Sequence, residues 1–345
     1  DQLYADTVWH EVPALVEWRK EPWRKRRHMG FSPEMAEATG DYYFRRYCWL
    51  WAQPETASIL AQVPSLMMWD DHDIFDGWGS YATGWEQCDV FQGIYAAARE
   101  HFSLFQLAAK PDDLPDGFSD PHGGQFGWAY RIGDIGIIAP DLRSERTLST
   151  IIGEAGWRAL MNALDGMAGC SHILLISTVP LVNAHLTALE RFFEFIPGHQ
   201  SWQDDLIDQW PSRAHWSEWQ RMLDTLTAFS VRTGAAITSL SGEIHLGALG
   251  LIQSGDTRIH QLTSSGVVHP PPSALATTGL DWASRGTIRL SPDITVKSLP
   301  ITGSRRYLRT RNWLELDIRG DRLNAVWHHE GGPPESRPTI SIEGG

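Results

Sequence analysis

Three groups of carboxylate, imidazole and phenol side chains occur along the 345 residues, each compact enough to contribute to one site. They are Asp1, Tyr4 and Asp6; then Asp70, Asp71, His72 and Asp73 with Asp76; and finally Glu243 with His245. Oxygen and imidazole ligands suit hard and borderline cations. Two such ions about 3.5–4 Å apart activate a water and neutralise the oxygens of a phosphoryl group. The residue types therefore favour metal-dependent phosphoryl chemistry.

Each group taken singly has a simpler interpretation as solvated surface, because acidic runs are ordinarily exposed. Their arrangement favours a common site instead. The three groups are separated by about 70 and 170 residues, and two of them follow apolar runs, at residues 65–69 and 235–240. A buried strand that ends in polar residues delivers them to one edge of a sheet. We therefore predict a strand at each apolar run, with site residues at its end.

The remaining pattern alternates helices and strands. Ser32 before Pro33 predicts the start of a helix, with the serine as cap and the proline in the first turn. Residues 126–131 and 135–139, split by Gly133-Asp134, predict a hairpin. Further helices are predicted at 7–27, 86–108, 154–167 and 213–232, a strand at 172–177, and a last hairpin at 313–318 with 323–328. The pattern indicates an α/β protein whose end is rich in strands.

Composition excludes several classes of protein. Hydrophobic residues make up 42% and charged residues 21%, which is typical of a globular chain. No stretch approaches the roughly 20 consecutive apolar residues of a membrane span. The formal net charge of −13 disfavours nucleic acid as the main partner, since phosphate contacts need clustered Lys and Arg. Three widely spaced cysteines, Cys48, Cys88 and Cys170, form neither a disulfide framework nor a thiolate cluster.

One basic segment departs from this acidic balance. It runs from Arg19-Lys20 to Arg24-Lys25-Arg26-Arg27. The simpler interpretation is a solvated helix end or loop, and the alternative is a basic rim that attracts an anionic substrate. Both interpretations are open at the level of sequence.

Four motifs in one order resemble the metallophosphatase domain of the alkaline phosphatase D family. Asp1-Gln2-Leu3-Tyr4-Ala5-Asp6 is similar to the family's Gly-Asp-Gln-x-Tyr-Ala-Asp motif from the Asp onward, and Trp69-Asp70-Asp71-His72 to its Trp-Asp-Asp-His-x-x-x-Asn motif. Asp141-Leu142-Arg143 resembles its Asp-x-Arg element, and Ser241-Gly242-Glu243-Ile244-His245 its Ser-Gly-Asp-x-His motif. The resemblance extends from residue 1 to about residue 270, and four ordered motifs are far more specific than one.

The resemblance implies a four-layer αββα sandwich with two mixed β-sheets and a binuclear or multinuclear metal site, where a metal-bound hydroxide attacks phosphorus. The metal ligands it implies are Asp1, Tyr4, Asp71, Asp76, Glu243 and His245. His72 would act at the phosphate or the leaving oxygen, as general acid or electrostatic stabiliser. Arg143 would clamp phosphate oxygens. Iron and calcium are the metals that the resemblance favours, with zinc, manganese or magnesium as alternatives.

The chain departs from the family pattern at three places. Asp76 stands where the family has Asn, and Glu243 stands where it has Asp. The ligand that the family supplies from its first strand is absent, because the sequence opens at Asp1 in the middle of a motif. We therefore expect a single metallophosphatase domain over residues 1–345, truncated at its N-terminus, with residues 282–345 as a strand-rich extension.

Two classes of function remain after these observations. The first is a metal-dependent hydrolase of small-molecule phosphate esters, either a phosphomonoesterase or a phosphodiesterase. The second is a non-catalytic metal- or phosphate-binding protein on the same fold, which the departures at Asp76 and Glu243 favour. A metal-dependent nuclease is compatible with the mechanism, but the acidic charge disfavours it.

Overall fold

In the computed structural model of the chain, the residues form two compact units. The first comprises Asp1–Gly127 with Asp141–Leu148, and the second comprises Trp128–Pro140 with Ser149–Gly345. The structure describes residues 2–81, 84–183, 210–212, 214–242, 245–264, 267, 270–319, 322–333 and 338–343. The organisation of residues 1–345 as one domain with a strand-rich extension from residue 282 stays a prediction.

The described part of the first unit is built from helices and connecting segments. In chain order these helices are α1 (Val8–Glu11), α2 (Pro13–Lys20), α3 (Trp23–Arg26), α4 (Pro33–Trp51), α5 (Pro54–Gln62), α6 (Asp71–Ile74) and α7 (Asp89–Gln106). The predicted start of α4 is confirmed, because the Ser32 side chain accepts a hydrogen bond from the Met35 amide at 3.1 Å. The helix predicted over 7–27 is divided into three, since Pro13 and Pro22 lack the amide that a continuous helix needs.

The strand predicted at residues 65–69 is wrong. The structure has an irregular extended segment there, which leads directly into α6. Leu66 is 51% exposed, whereas a buried strand would cover it. A short apolar run does not by itself distinguish a strand from an extended segment, and Pro64 removes a donor that sheet pairing would use.

Trp69 fixes the end of this segment inside the first unit. Its side chain is fully buried, and its ring packs edge-on against Phe126 with centroids 4.6 Å apart. The rings of Tyr95 and Phe102, both on α7, lie 5.5 Å away. The indole Nε1 donates to Asp141 at 3.2 Å. Aromatic burial of this kind holds the residues that follow Trp69 in a defined place.

The described strands of the second unit form a large mixed sheet and a smaller sheet. The nine strands of the large sheet are β1 (Trp128–Ile132), β2 (Ile135–Ala139), β3 (His172–Ile176), β4 (Ala236–Ser241), β5 (Gly247–Ser254), β6 (Thr257–Thr263), β7 (Thr287–Arg289), β8 (Ile294–Leu299) and β9 (Tyr307–Leu308). Their order is β1-β2-β3-β4-β6-β5-β8-β7, with β9 also paired to β5. The pairs β2–β3, β3–β4 and β4–β6 are parallel and the others antiparallel.

The smaller sheet contains β10 (Asn312–Arg319), β11 (Arg322–His329) and β12 (Thr339–Glu343). Its described strands pair antiparallel. The resemblance implies two mixed sheets, whereas among the described strands it is the large sheet that combines parallel and antiparallel pairs. Leu323, Trp327 and Ile342 pack against Leu174 and Leu262 of the large sheet. This shared core makes the two sheets a sandwich within the second unit.

Helices accompany these sheets. They are α8 (Glu154–Gly166), which contacts β2; α9 (Trp216–Thr233), which contacts β4 and β6; and α10 (Ala274–Ala283). The hairpin predicted on either side of Gly133 is confirmed as β1 and β2, and Gly133 adopts the left-handed φ of 64° that its turn requires. With a large mixed sheet, helices and a second sheet, the predicted α/β class is confirmed.

The basic segment of the first unit lies at its surface. Helix α3 buries none of its residues. Lys20 and Lys25 form ion pairs with Glu17 and Glu21, at 2.5 and 2.8 Å, and these pairs offset part of the positive charge. Among the described residues, no helix combines the length and the apolar character that crossing a membrane requires.

His172, at the start of β3, is a buried histidine that is 1% exposed. Its Nε2 lies 2.9 Å from Thr238 Oγ1, and its Nδ1 has no hydrogen-bond partner among the described residues. Burial lowers the pKa of His172, so the native state keeps the ring neutral, whereas an unfolded histidine protonates near pH 6.5. This contribution to stability is therefore complete above pH 6.5 and is lost as the pH falls below it.

We expect His172→Gln to make the free energy of unfolding less sensitive to acid pH. Below pH 6.5, protonation of His172 in the unfolded state should lower the wild-type free energy of unfolding by up to about 1.4 kcal/mol per pH unit. The difference between wild type and variant should shrink accordingly between pH 7 and pH 5, as measured by urea unfolding. His28→Gln, at an exposed position, is the control. Equal pH dependence in all three proteins would contradict the expectation.

Candidate functional site

The acidic run after Trp69 forms the first turn of a helix. Asp70 is the N-cap of α6, and its side chain and that of Asp73 bond reciprocally to each other's backbone amides in a capping box. Because successive residues of a helix point about 100° apart, the four neighbouring side chains Asp70, Asp71, His72 and Asp73 enter different environments. The motif therefore divides into residues with structural contacts and residues that face the candidate site.

Asp73 is a structural carboxylate. It is fully buried and accepts hydrogen bonds from the Leu3 amide at 3.1 Å, the Asp70 amide at 3.0 Å and Gln106 Nε2 at 2.8 Å. Burial raises its pKa, and the hydrogen bonds from Asp70 and Gln106 oppose that effect. Asp73 thus ties the N-terminal segment to α6 and α7.

Arg143 is buried between two acids of the same run. Its side chain is 1% exposed; Nε donates to Asp70, which is 4% exposed, and Nη2 lies 3.3 Å from Asp71 Oδ1. Nη1 also donates to the Trp78 carbonyl at 3.3 Å. The single positive charge of the guanidinium therefore offsets the charge of buried Asp70 and part of the charge of Asp71. Its role as a phosphate clamp stays a prediction.

Asp141 positions Arg143. The Asp141 Oδ1 accepts hydrogen bonds from the amides of Arg143 and Ser144, both at 2.9 Å, and Oδ2 accepts one from the Phe126 amide at 2.7 Å. A carboxylate that accepts several backbone amides fixes the turn that follows it. The Asp-x-Arg spacing identified in the sequence thus has a physical reason, since the acid shapes the turn that places the arginine.

His72 faces the N-terminal segment and is partly exposed. Its Nδ1 lies 2.9 Å from both oxygens of Asp6, and its ring centroid lies 4.6 Å from that of Tyr4 with the rings tilted by 36°. The backbone joins the two segments as well, because the Ala5 amide donates to the His72 carbonyl at 2.9 Å. The Asp76 amide donates to Asp6 Oδ1 at 2.8 Å. Two groups distant in sequence therefore lie together in the first unit.

Asp71, His72 and Asp76 form a cluster that could hold a metal ion. One potential ligand atom from each lies within 4.8 Å of the others, with Asp71 and His72 partly buried and Asp76 exposed. Asp71 Oδ2 also accepts the amide of Gly77 at 2.9 Å, where a φ of 73° turns the chain back. A carboxylate oxygen has two lone pairs, so the hydrogen bond from Gly77 and the ion pair with Arg143 do not exhaust the acceptor capacity of Asp71. Two carboxylates and an imidazole fit hard and borderline cations.

Negative charge dominates this cluster. Burial raises the pKa of Tyr4, and the charges of Asp71 and Asp6 raise it further. Burial lowers the pKa of His72, but the hydrogen bond that His72 donates to Asp6 and the charge of Asp71 outweigh this effect and raise the pKa to about 9. The contributions of the nearby carboxylates to both pKa shifts have the same sign, because their negative charge disfavours a phenolate and favours an imidazolium.

The other predicted site residues have a different status. Asp1 and Glu243 lie outside the described residues. His245 belongs to the second unit, after β4, and adopts a left-handed φ of 55°. Non-glycine residues in that conformation are uncommon, although histidine is enriched among them. The ligand roles of Asp1, Tyr4, Asp71, Asp76, Glu243 and His245 stay predictions.

The sequence motifs assign no separate role to Asp6 or Asp70. Asp70 is the buried partner of Arg143, and Asp6 is the hydrogen-bond partner of His72. A signal for Asp6 was present, since it closes the same short motif that contains Tyr4. No local pattern indicated the burial of Asp70, because that depends on a contact with a residue 73 positions later.

Comparison with family models supports the metallophosphatase class that the four motifs and the acidic site indicate. Residues 1–198 match the family model of PhoD related phosphatase. The chain belongs to the PhoD related phosphatase family, and the resemblance predicted from the four motifs is confirmed.

Two individual proteins are also similar to the chain. The uncharacterized protein YGR266W of Saccharomyces cerevisiae is 26% identical over 326 residues, which cover 76% of this chain and 46% of that protein. Among solved structures, purple acid phosphatase PPD1 from yellow lupin (Lupinus luteus) seeds matches with a TM-score of 0.44 and 11% identity, over 88% of this chain and 44% of that one. The chain thus spans about half the length of these two proteins.

Proposed function

We propose that this protein hydrolyses small-molecule phosphate esters in a metal-dependent reaction. The cluster of Asp71, His72 and Asp76, within 4.8 Å of one another, is the observation that carries the proposal. It occurs in a member of the PhoD related phosphatase family, at and just after the Trp69-Asp70-Asp71-His72 motif. The proposed substrates are phosphate esters, either phosphomonoesters or phosphodiesters.

The proposed roles follow from the contacts of each residue. The two carboxylates of the cluster, Asp71 and Asp76, are proposed to hold the cation with Tyr4 beside them, whereas the imidazole of the cluster faces the substrate. Asp1, Glu243 and His245 are proposed as further ligands. His72 presents its Nε2 to the phosphoryl group or the leaving oxygen, because Nδ1 is engaged by Asp6. Arg143 keeps Asp71 in place through the 3.3 Å ion pair. Oriented in this way, His72 protonates or stabilises the leaving oxygen as the ester bond breaks.

Bound cations would lower the pKa of a water and neutralise phosphoryl oxygens. The proposal includes iron and calcium as the favoured metals, since carboxylate, phenol and imidazole ligands suit both hard and borderline ions. The net charge of −13 supports a small substrate over a nucleic acid, whose binding depends on neutralising many phosphates.

One observation favours a second candidate, a metal- or phosphate-binding protein without hydrolytic activity. Arg143 already neutralises Asp70 and part of Asp71, and this positive charge reduces the attraction of the site for a second cation. Elemental analysis separates the two candidates. One metal ion or none per chain, with inorganic phosphate still bound, would favour the binding protein.

The proposal is tested with the full-length protein and a site variant. Metal-loaded wild type is expected to hydrolyse 4-nitrophenyl phosphate or bis(4-nitrophenyl) phosphate, and chelation is expected to abolish the reaction. Asp71→Asn should bind the metal at least about tenfold more weakly, because an amide oxygen lacks the charge of the carboxylate. Asp41→Asn, on the exposed face of α4 with its side chain 59% exposed, should behave as wild type. Metal-loaded wild type that cleaves neither ester would refute the proposal.

A further inference from the structure

The basic segment of the first unit is anchored through its aromatic side. Trp18, on α2, is 2% exposed, and its indole Nε1 donates to the Arg26 carbonyl at 3.3 Å. The Arg26 guanidinium lies 5.1 Å from the ring centroid of Trp18 and 5.1 Å from that of Trp85. Cation–π contacts of this kind hold the end of α3 against α2. The position of α3 is therefore set by the protein itself.

Other side chains of the same segment are exposed. Trp23, the first residue of α3, is 52% exposed, and the exposed Arg24 places its guanidinium 5.5 Å from the Trp23 ring centroid. The side chains of Lys20 and Lys25 are 65% and 59% exposed. We call these four residues the basic face. Because α3 buries none of its residues, the Trp23 ring adds little to the core, whereas an indole suits a boundary between water and lipid.

The local charge of the basic face is opposite to that of the chain. Residues 17–28 contain six basic and two acidic side chains, which gives +4, whereas the whole chain carries −13. At physiological ionic strength, charges more than about 8 Å apart are largely screened, so an approaching surface responds to the local charge. Glu17 and Glu21 pair with Lys20 and Lys25, but exposed pairs contribute little free energy and can exchange for another anion.

We propose that the basic face binds the surface of an anionic lipid bilayer, with Trp23 at the level of the headgroups and the cations against acidic lipids. Clusters of Lys and Arg attract such a surface, and an apolar ring among them adds burial at the interface. Nucleic acid fits this face less well, because a duplex is bound through roughly 6–10 phosphate contacts. The proposal is independent of the hydrolytic activity proposed above.

Vesicle sedimentation with the full-length protein tests the proposal. Wild type should sediment with phosphatidylcholine vesicles that contain about 30% phosphatidylserine, because these carry the negative surface potential that attracts Lys and Arg. It should not sediment with vesicles of phosphatidylcholine alone. Raising the NaCl concentration from about 0.05 M to about 0.5 M should release most of the bound protein, since salt screens exposed charges.

A pair of double variants tests the role of the cations. Arg24→Gln combined with Lys25→Gln should weaken binding to the anionic vesicles by about tenfold or more, because each cation near the surface contributes attraction. Arg45→Gln combined with Arg319→Gln removes the same charge at side chains that are 70% and 82% exposed. This control should bind as wild type does. Circular dichroism checks that each variant is folded.

A pair of tryptophan variants tests the role of the indole. Trp23→Ala should weaken binding to the anionic vesicles by about fivefold or more, because the ring leaves water when it enters the interface. Trp282→Ala, at a residue of the second unit that is 72% exposed, should leave binding unchanged.

The outcomes are decisive for the basic face whether or not the protein is a hydrolase. Wild type that binds both kinds of vesicle equally, or neither, would overturn the proposal. Equal weakening in the two double variants would overturn it as well, because the effect would then follow from total charge. Tighter binding of duplex DNA than of anionic vesicles, through the same residues, would assign the face to nucleic acid instead. Anionic vesicles bound by a protein that cleaves no ester would support this proposal and count against the proposed function.

Discussion

Arg143→Met is expected to lower the free energy of unfolding by about 3–5 kcal/mol, because removal of one partner leaves a buried charge uncompensated. Arg143 is 1% exposed and Asp70 is 4% exposed. The methionine fills a similar volume but offers no positive charge to Asp70 or Asp71. The Trp78 carbonyl also loses its bond from Nη1. Urea unfolding, followed by tryptophan fluorescence and circular dichroism, measures the loss.

Two further variants identify the cause of this loss. Arg45→Met, at an ion pair with Asp41 whose side chains are 70% and 59% exposed, should cost less than about 1 kcal/mol. Adding Asp70→Asn to Arg143→Met should recover part of the stability, because the isolated carboxylate charge is gone. If Asp70→Asn brought no recovery, the burial of charge would not be the reason for the effect.

His72→Gln should have the opposite profile, with a large effect on turnover and a small effect on stability. We expect kcat to fall by about 100-fold to 10,000-fold, the range of general acid–base catalysis. The side chain is 21% exposed and glutamine is of similar size, so the free energy of unfolding should fall by less than is expected for Arg143→Met. Steady-state kinetics with 4-nitrophenyl phosphate and phenyl phosphate measures the effect.

A comparison of the two substrates distinguishes proton transfer by His72 from electrostatic stabilisation. Phenyl phosphate has the poorer leaving group and needs protonation more, so its kcat should fall further than that of 4-nitrophenyl phosphate. His28→Gln, at an exposed histidine, should leave both rates unchanged. Equal losses on the two substrates would argue against proton transfer to the leaving oxygen and for electrostatic stabilisation alone.

Local signals in the sequence predicted the elements whose causes are local. Ser32 and Pro33 start α4 as expected, and Gly133 forms the turn between β1 and β2. The error at residues 65–69 has a different origin. That segment is held by tertiary contacts, chiefly the burial of Trp69 among rings of α7, and the identity of a short apolar run depends on such contacts.

The candidate site shows the same division. The residue types in the four motifs predicted the family, and the match to the PhoD related phosphatase model confirms it. The sequence did not show which of the four acids and the histidine of residues 70–76 have structural contacts and which face the candidate site. Their environments depend on residues that lie far away in the chain. Asp73 bonds Leu3 and Gln106, while His72 bonds Asp6. Contacts over 33 to 70 positions leave no local pattern.

The first unit is discontinuous, and this has a consequence for how the protein is made. Its last portion, Asp141–Leu148, is synthesised only after Trp128–Pro140 of the second unit. At the usual rate of translation, Arg143 follows Asp70 by on the order of ten seconds. The nascent chain therefore carries the residues of α6 without the guanidinium of Arg143 until the residues of β1 and β2 have been synthesised. Completion of the Asp70–Arg143 ion pair is thus coupled in time to the synthesis of β1 and β2, and the ribosome cannot complete one unit before it has begun the other.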